Sequence, residues 1–214
     1  MNATTPSTPD DLRAAFGQID IYLFDQLLKG RIAPGMRVLD AGCGSGRNLH
    51  YLMRAGYEVA GVDEEPRRIE SVRAMATELN PALDPAAFVT ASVAELPFPD
   101  ASFDVVLSNA VLHFSSNPES WQRAVDEMWR VLAPGGMFWS RLASHIGIED
   151  RVVPIGDPAD HRYRLPDGSD RFLVSEADLV DQTDAWGARL LDPIKTTNVQ
   201  GARCMTTWVV EKAP

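Results

Sequence analysis

A chain of 214 residues, 45% hydrophobic and 23% charged, carries enough apolar side chain for one globular domain with a full core. Its net charge of −10 repels phosphate backbones, so nucleic acid is not the expected partner. Two cysteines, Cys43 and Cys204, give no disulfide framework. No apolar run reaches membrane-span length and the polar opening lacks a signal-peptide core, so a cytoplasmic protein is the expectation.

Residues 1–7 are rich in Thr and Pro and are expected to fray. Thr8-Pro9-Asp10-Asp11 reads as a helix start with proline in the first turn. Residues 19–29 form a second helical stretch, with Ile19, Tyr22, Leu23 and Leu27 on its apolar side and Gly30 as its stop. Val38 and Leu39 suit a buried parallel strand that Asp40 ends. Gly42, Gly44 and Gly46 then allow a tight turn and a close ligand approach. A helix over residues 48–54 follows, stopped by Ala55-Gly56 and aiming free N–H groups at the ligand. Residues 58–63 read as the next strand, and Pro66 opens the helix after it. Further strands are expected near residues 87–90, 103–108 and 137–142, with a helix starting at Asn117-Pro118-Glu119. This alternation predicts a parallel sheet covered on both faces. In the tail, residues 162–174 read as strand, Pro166-Asp167-Gly168 turn, strand. Ser175 to Asp178 resembles a capping box. Residues 190–197 and 204–212 read as closing strands around a turn at 198–202.

The glycine spacing carries the functional information. A dinucleotide fingerprint runs G-x-G-x-x-G/A, with a small third residue. Here the run is G-x-G-x-G, and Arg47 fills the slot that fingerprint reserves for Gly or Ala. About twenty residues on, Asp63 ends a strand where a carboxylate can accept both hydroxyls of a ribose. The alternative for Asp63 and Glu65 is capping of the next helix. The third stretch, residues 91–106, contains Ser92-Val93 and Phe103-Asp104-Val105-Val106. The fourth, residues 127–136, ends Leu132-Ala133-Pro134-Gly135-Gly136.

Together these motifs resemble the class I S-adenosylmethionine-dependent methyltransferases over residues 38–142. The resemblance implies a Rossmann-like three-layer α/β sandwich, with a mostly parallel seven-stranded sheet and an antiparallel strand near the C-terminus. It implies one methyltransferase domain over 1–214, with a helical lid at 1–30, a cofactor core at 37–142 and an acceptor-side hairpin with closing strands at 143–214. The implied cofactor is S-adenosyl-L-methionine. Its loop contacts are Asp40, Gly42, Cys43, Gly44, Arg47 and Asn48, with Asp63 and Glu64 at the ribose. Ser92 and Val93 lie at the adenine, and Asn109 and Ala110 near the sulfonium. Ser92 stands where the family usually carries Asp, which weakens that adenine contact.

The acceptor side is less specific. His113 is the candidate general base, because imidazole titrates near neutrality. The competing role is a loop histidine that shapes the pocket. Tyr22, Phe24, Arg141 and Arg164 are the further candidates for the acceptor pocket. No His spacing suggests a metal site. The expected acceptor is a small molecule, and the chain resembles the group that includes quinone-type and tellurite-type enzymes. The alternatives are a NAD-dependent oxidoreductase and a cofactor-binding module without turnover. Arg47 and the lack of a Tyr-x-x-x-Lys pair count against the oxidoreductase.

Overall fold

Caps set the first two helices in the computed structural model, which describes residues 8–214. The fraying expected for residues 1–7 lies outside the described residues. Helix α1 (Pro9–Phe16) begins with a reciprocal capping box between Thr8 and Asp11. Helix α2 (Ile21–Leu28) is capped by Asp20, whose side chain accepts the Tyr22 N–H. Strand β1 (Arg37–Ala41) runs one residue past Asp40. The glycine turn does not enter a helix at residue 48. Helix α3 (His50–Arg54) starts two residues later, without a side-chain cap.

Strand β2 (Glu58–Asp63), helix α4 (Pro66–Leu79) and strand β3 (Phe88–Thr90) follow as expected to within a residue. Strand β4 (Phe103–Asn109) leads through a 3₁₀ turn, Leu112–Phe114, to helix α5 (Pro118–Val131). Strand β5 (Leu132–Ser144) is longer than expected because the Ala133 to Gly136 link joins it.

The tail adds β6 (Val153–Pro154), β7 (Arg162–Arg164) and β8 (Asp170–Phe172), which make a small separate sheet. Helix α6 (Glu176–Ala185) starts at the Ser175–Asp178 capping box. The expected strand at 190–197 splits into β9 (Arg189–Leu190) and β10 (Lys195–Val199). Pro193 lies in the break and has no N–H to give a ladder. Strand β11 (Arg203–Glu211) closes the fold.

The main sheet runs β10-β11-β5-β4-β1-β2-β3, with the short β9 pairing β11 as an eighth strand. The segment from β3 to β5 is parallel, and β11 runs antiparallel to both β5 and β10. Period-2 alternation divides the strand residues between two cores. Leu39, Val106, Phe138 and Trp208 face α5 and α6, whereas Val38, Leu107, Trp139 and Val209 face α2, α3 and α4. The chain winds outward from β1 to β3, then resumes at β4 on the other side of β1. The switch point therefore falls between β1 and β4, where open α/β sheets bind ligands.

A column of parallel indoles supports the first core. Trp129 stacks on Trp186 at 4.2 Å, and Trp186 stacks on Trp208 at 5.3 Å. Trp208 is fully buried, and its Nε1–H donates to Thr183 Oγ1 at 3.0 Å. Trp208→Ala should cost about 3–5 kcal/mol, the range for deleting a buried aromatic ring. Urea denaturation measures this, and a loss under about 1 kcal/mol would show that the column does not support the sheet.

Candidate active site

The C-terminal ends of β1 to β4 surround a cavity of about 790 Å³. This lies inside the range of about 300–1,000 Å³ typical of small-molecule sites. The loop after β1 supplies Gly42, Cys43, Gly44, Arg47 and Asn48, and the end of β2 supplies Asp63 and Glu64. Ser92 and Val93 come from the turn after β3, and Asn109 and Ala110 from the end of β4. Residues some seventy positions apart thus share one wall. Only Asp40, among the expected cofactor residues, lies off it.

The glycines act for different reasons. A Cβ on Gly42 would come within 2.3 Å of Val111 Cγ2, so that position is fixed by packing. Gly44 has φ +54° and nothing within 4 Å of a built Cβ. Its open side belongs to the cavity, where a ligand can lie against bare backbone. The Gly44 N–H donates to Asp63 Oδ2 at 2.9 Å, and Asp63 Oδ1 accepts the Glu65 N–H at 3.0 Å. Asp63 therefore ties the loop to β2 and also caps the chain's exit from that strand. Oδ1 keeps a lone pair for a further donor. Arg68, on the first turns of α4, reaches Asp63 at 3.5 Å and also lines the cavity.

Two polar features and one strained residue suit a cationic, ribose-bearing ligand. Both Asp40 oxygens are buried beneath the loop without a hydrogen-bond partner, and burial lifts its pKa from 3.8 to about 7. A nearby cation would hold that carboxylate ionised. Asn109 Oδ1 is also a buried acceptor without a partner. Ala110 takes a left-handed φ of +61°, strain that a β-carbon residue bears at only a few sites. Cys43 is buried, and burial pushes its thiol pKa upward, so it fills space and is not a nucleophile.

The family described as "Methyltransferase domain" matches residues 39–140. The uncharacterized methyltransferase YodH of Bacillus subtilis is 37% identical over 139 residues, covering 65% of this chain and 54% of that protein. The 2-methyl-6-phytyl-1,4-hydroquinone methyltransferase of Synechocystis is 34% identical over 131 residues, covering 58% of this chain and 36% of that protein. The 1,6-didemethyltoxoflavin-N1-methyltransferase of Burkholderia thailandensis, solved with 1,6-didemethyltoxoflavin and S-adenosylhomocysteine, has a similar fold. Its TM-score is 0.67 at 21% identity, over 96% of this chain and 82% of that one. The fold of this chain is that of the class I S-adenosylmethionine-dependent methyltransferases, and the family match spans just under half of the chain. The chain spans about half, or less, of the length of these two curated relatives.

The acceptor side of this methyltransferase fold differs from the expectation. Asp20 is the hub there. Its carboxylate accepts from Arg141 at 3.1 Å and from Asn109 Nδ2 at 3.4 Å, and Arg47 lies 3.7 Å away. The Asp20 N–H donates to Asn48 Oδ1 at 3.1 Å. The Arg141 guanidinium sits 5.1 Å over the Tyr22 ring, and the Tyr22 hydroxyl pairs with Thr197 at 2.8 Å. Tyr22 and Arg141 are thus engaged with each other beside the cavity and do not line it. Phe24 packs edge-on against Phe16 at 5.0 Å, on the far side of α2. Arg164 is held bidentate by Asp170 at 2.7 and 2.9 Å and does not reach the cavity.

His113 also lies off the cavity wall. Its ring is 7% exposed, and Nδ1 accepts the Ala143 N–H at 3.2 Å. Burial, then the charge of Arg171, pulls its pKa from 6.5 down to about 4. The imidazole is therefore neutral near pH 7 and carries its proton on Nε2. One nitrogen is occupied and the other already protonated, which is unsuited to removing a proton from an acceptor. The ring instead ties the turn after β4 to β5. Gln18, Arg68, Phe114, Ser115 and Ser120 line the cavity without having been singled out in the sequence. Arg68 was within reach, five residues past Asp63 on the helix leaving the same sheet edge. Gln18 and Ser120 carry no local signal.

Gly44→Val should abolish binding of S-adenosylhomocysteine, since its branched side chain enters the cavity from a left-handed backbone. Asp63→Ala should weaken binding by about 1.5–3 kcal/mol, the worth of a hydrogen bond to a charged group. Calorimetry reads both, and wild-type affinity in either variant would remove the loop from the site. His113 makes a separate prediction. Its pKa falls on folding from 6.5 to about 4, so the unfolded chain binds more protons in that window and stability drops as pH falls. Asp40 acts with the opposite sign, because its pKa rises on folding from 3.8 to about 7. The informative quantity is therefore wild type minus His113→Asn. That difference should shrink by about 3 kcal/mol between neutral pH and pH ~4, measured by urea denaturation. A pH-independent difference would contradict the neutral, bonded ring.

Proposed function

We propose that this chain transfers a methyl group from S-adenosyl-L-methionine to a small-molecule acceptor. One observation carries the reading. A single cavity gathers the bare Gly44 backbone, the Asp63 carboxylate and the Ser92–Val93 turn with Asn109 and Ala110. In this reading Asp63 takes the ribose, Glu64 and the Ser92–Val93 turn border the adenosine, and Asn109 and Ala110 border the sulfonium. Arg47 and Asn48 flank the methionine end. The unpartnered Asp40 carboxylate beneath the loop supports a cationic ligand.

The cofactor supplies a methyl group on a positively charged sulfur, already activated for displacement. The chain's own residues then orient the two reactants and exclude water. His113 is assigned a positioning role, consistent with catalysis by proximity and no side-chain base. In this reading the chain forms one methyltransferase domain, with α1 and α2 as the lid segment, 37–142 as cofactor core and 143–214 as acceptor side. The proposed compartment is the cytoplasm, which two buried free thiols support. No described helix is long and apolar enough to cross a membrane. The net charge of −10 disfavours a nucleic-acid acceptor.

The oxidoreductase alternative is disfavoured by geometry as well as by Arg47. Dinucleotide sites place the pyrophosphate on a helix N-terminus directly after the glycine turn. Here the turn is followed by an uncapped α3 that begins at His50. Calorimetry should detect binding of S-adenosylmethionine and S-adenosylhomocysteine and none of NAD. A screen of small molecules with methyl-labelled cofactor should then yield a labelled product. Tight NAD binding without binding of either sulfur ligand would overturn the proposal.

A further inference from the structure

The cavity mouth holds a ring that nothing in the cofactor reading uses. Phe114 ends the 3₁₀ turn after β4, lines the cavity and is 64% exposed. Burying such a ring stabilises a fold, so an exposed one on a cavity wall favours a ligand that covers it. The guanidinium carbon of Arg171, on β8, stands 5.1 Å from the Phe114 ring centroid. Arg171 donates from Nη1 to the Asp170 carbonyl at 2.7 Å, which fixes its direction and leaves its other N–H groups available. The neighbouring carboxylates are committed elsewhere. Asp170 holds Arg164 at 2.7 Å, and Asp167 accepts from the Ser169 hydroxyl at 2.6 Å. Among the described residues, no carboxylate oxygen stands within 4.0 Å of the Arg171 guanidinium. Arg162 donates to the Ser115 carbonyl at 3.1 Å, which brings a second guanidinium to the same mouth. In a chain of net charge −10, this is a local reversal of sign beside an open aromatic face.

We propose that Phe114 and Arg171 form the acceptor subsite, and that the acceptor is a planar aromatic molecule carrying an anionic substituent. The inference rests on the methyltransferase reading of the same cavity. The Phe114 ring touches His113 at 4.6 Å yet stays 64% exposed, and a flat ring packs on that exposed part, offset or edge-on as aromatic pairs prefer. Its anionic group meets the planar fork of Arg171, which suits a carboxylate better than an ammonium would. Arg171 also lies over the π face of Phe114 and so orients both halves of the subsite. The small sheet of β6, β7 and β8 thereby gains a purpose. It carries Arg162 and Arg171 to the cavity edge, while Arg164 faces away into its pair with Asp170.

The test uses the full chain saturated with S-adenosylhomocysteine, whose affinity is measured first. Three probes are titrated by ligand-observed NMR: 2-naphthoate, planar and anionic; 2-naphthamide, planar and neutral; and cyclohexanecarboxylate, anionic without a planar ring. 2-Naphthoate should bind at least about fivefold tighter than either other probe. Phe114→Ala and Arg171→Gln should each weaken it about five- to tenfold, the scale of one aromatic pair or one exposed cation contact. Both variants should keep wild-type affinity for S-adenosylhomocysteine, which also reports that they are folded. Equal binding of all three probes, binding of none, or unchanged 2-naphthoate affinity in both variants would overturn the subsite. Loss of S-adenosylhomocysteine affinity in both folded variants would overturn it too, by assigning the mouth to the cofactor. Failure of the wild type to bind S-adenosylhomocysteine would be a failure of the methyltransferase reading instead.

Discussion

The Asp63 carboxylate adds a side-chain tie where the Gly42 and Cys43 N–H groups already meet the Val62 carbonyl. One oxygen accepts the Gly44 N–H at 2.9 Å and the other accepts the Glu65 N–H at 3.0 Å. The first bond holds the glycine loop over the end of β1. The second fixes the turn that starts α4. A charged acceptor makes both bonds stronger than neutral ones. The cavity wall depends on this tie, because a loop with so many glycines has little stiffness of its own. Ribose hydroxyls and backbone amides would share one carboxylate, so cofactor binding and loop order are coupled at Asp63.

Charge is distributed unevenly around the cavity. Asp40 and Asp63 lie under and beside the glycine loop, on the side assigned to the cationic cofactor. Asp20, Arg47 and Arg141 sit where α2 crosses the sheet edge, with two guanidiniums sharing one carboxylate. Arg162 and Arg171 stand behind two lining residues, Ser115 and Phe114, at the turn after β4. A sulfonium and an anionic acceptor would thus approach from regions of complementary sign. The overall negative charge sharpens the contrast, since the basic mouth stands out from an acidic surface.

Catalysis by positioning fits a cavity wall that carries no histidine among the described residues and whose carboxylates, Asp63 and Glu64, lie on the side proposed for the cofactor. His113 is buried, neutral and bonded through Nδ1 to Ala143. Its place in the chain, just past β4, suggested proton transfer, while its neighbours made it a tie between β4 and β5. An acceptor whose attacking atom arrives deprotonated needs no base, and the sulfonium brings its own leaving-group activation. Beside the cavity, Ala110 is strained and Asn109 Oδ1 lacks a partner, which suits the proposed place of the sulfonium.

Local pattern was enough for most of the frame. Apolar runs of strand length, proline at helix starts and Ser, Thr, Asp or Asn at caps are short-range signals, and they located every strand of the parallel sheet and most helices. The spacing of Gly42, Gly44, Gly46 and Asp63 likewise pointed to the cofactor wall, because strand ends in such sheets converge on one edge. The strand at 190–197 was misread since alternation outweighed Pro193, which removes a ladder donor. The acceptor side was not legible for a different reason. Arg141, Arg164 and Arg171 look alike in sequence, and only the fold decides that the Asp20 carboxylate takes the first, the Asp170 carboxylate the second, and neither carboxylate reaches the third. His113 similarly owes its neutrality to burial and to Arg171, and its tautomer to Ala143, thirty residues away. Side chains near a strand end are directed by the backbone, but their partners come from distant elements, so their charge state and reach exist only once those elements have packed.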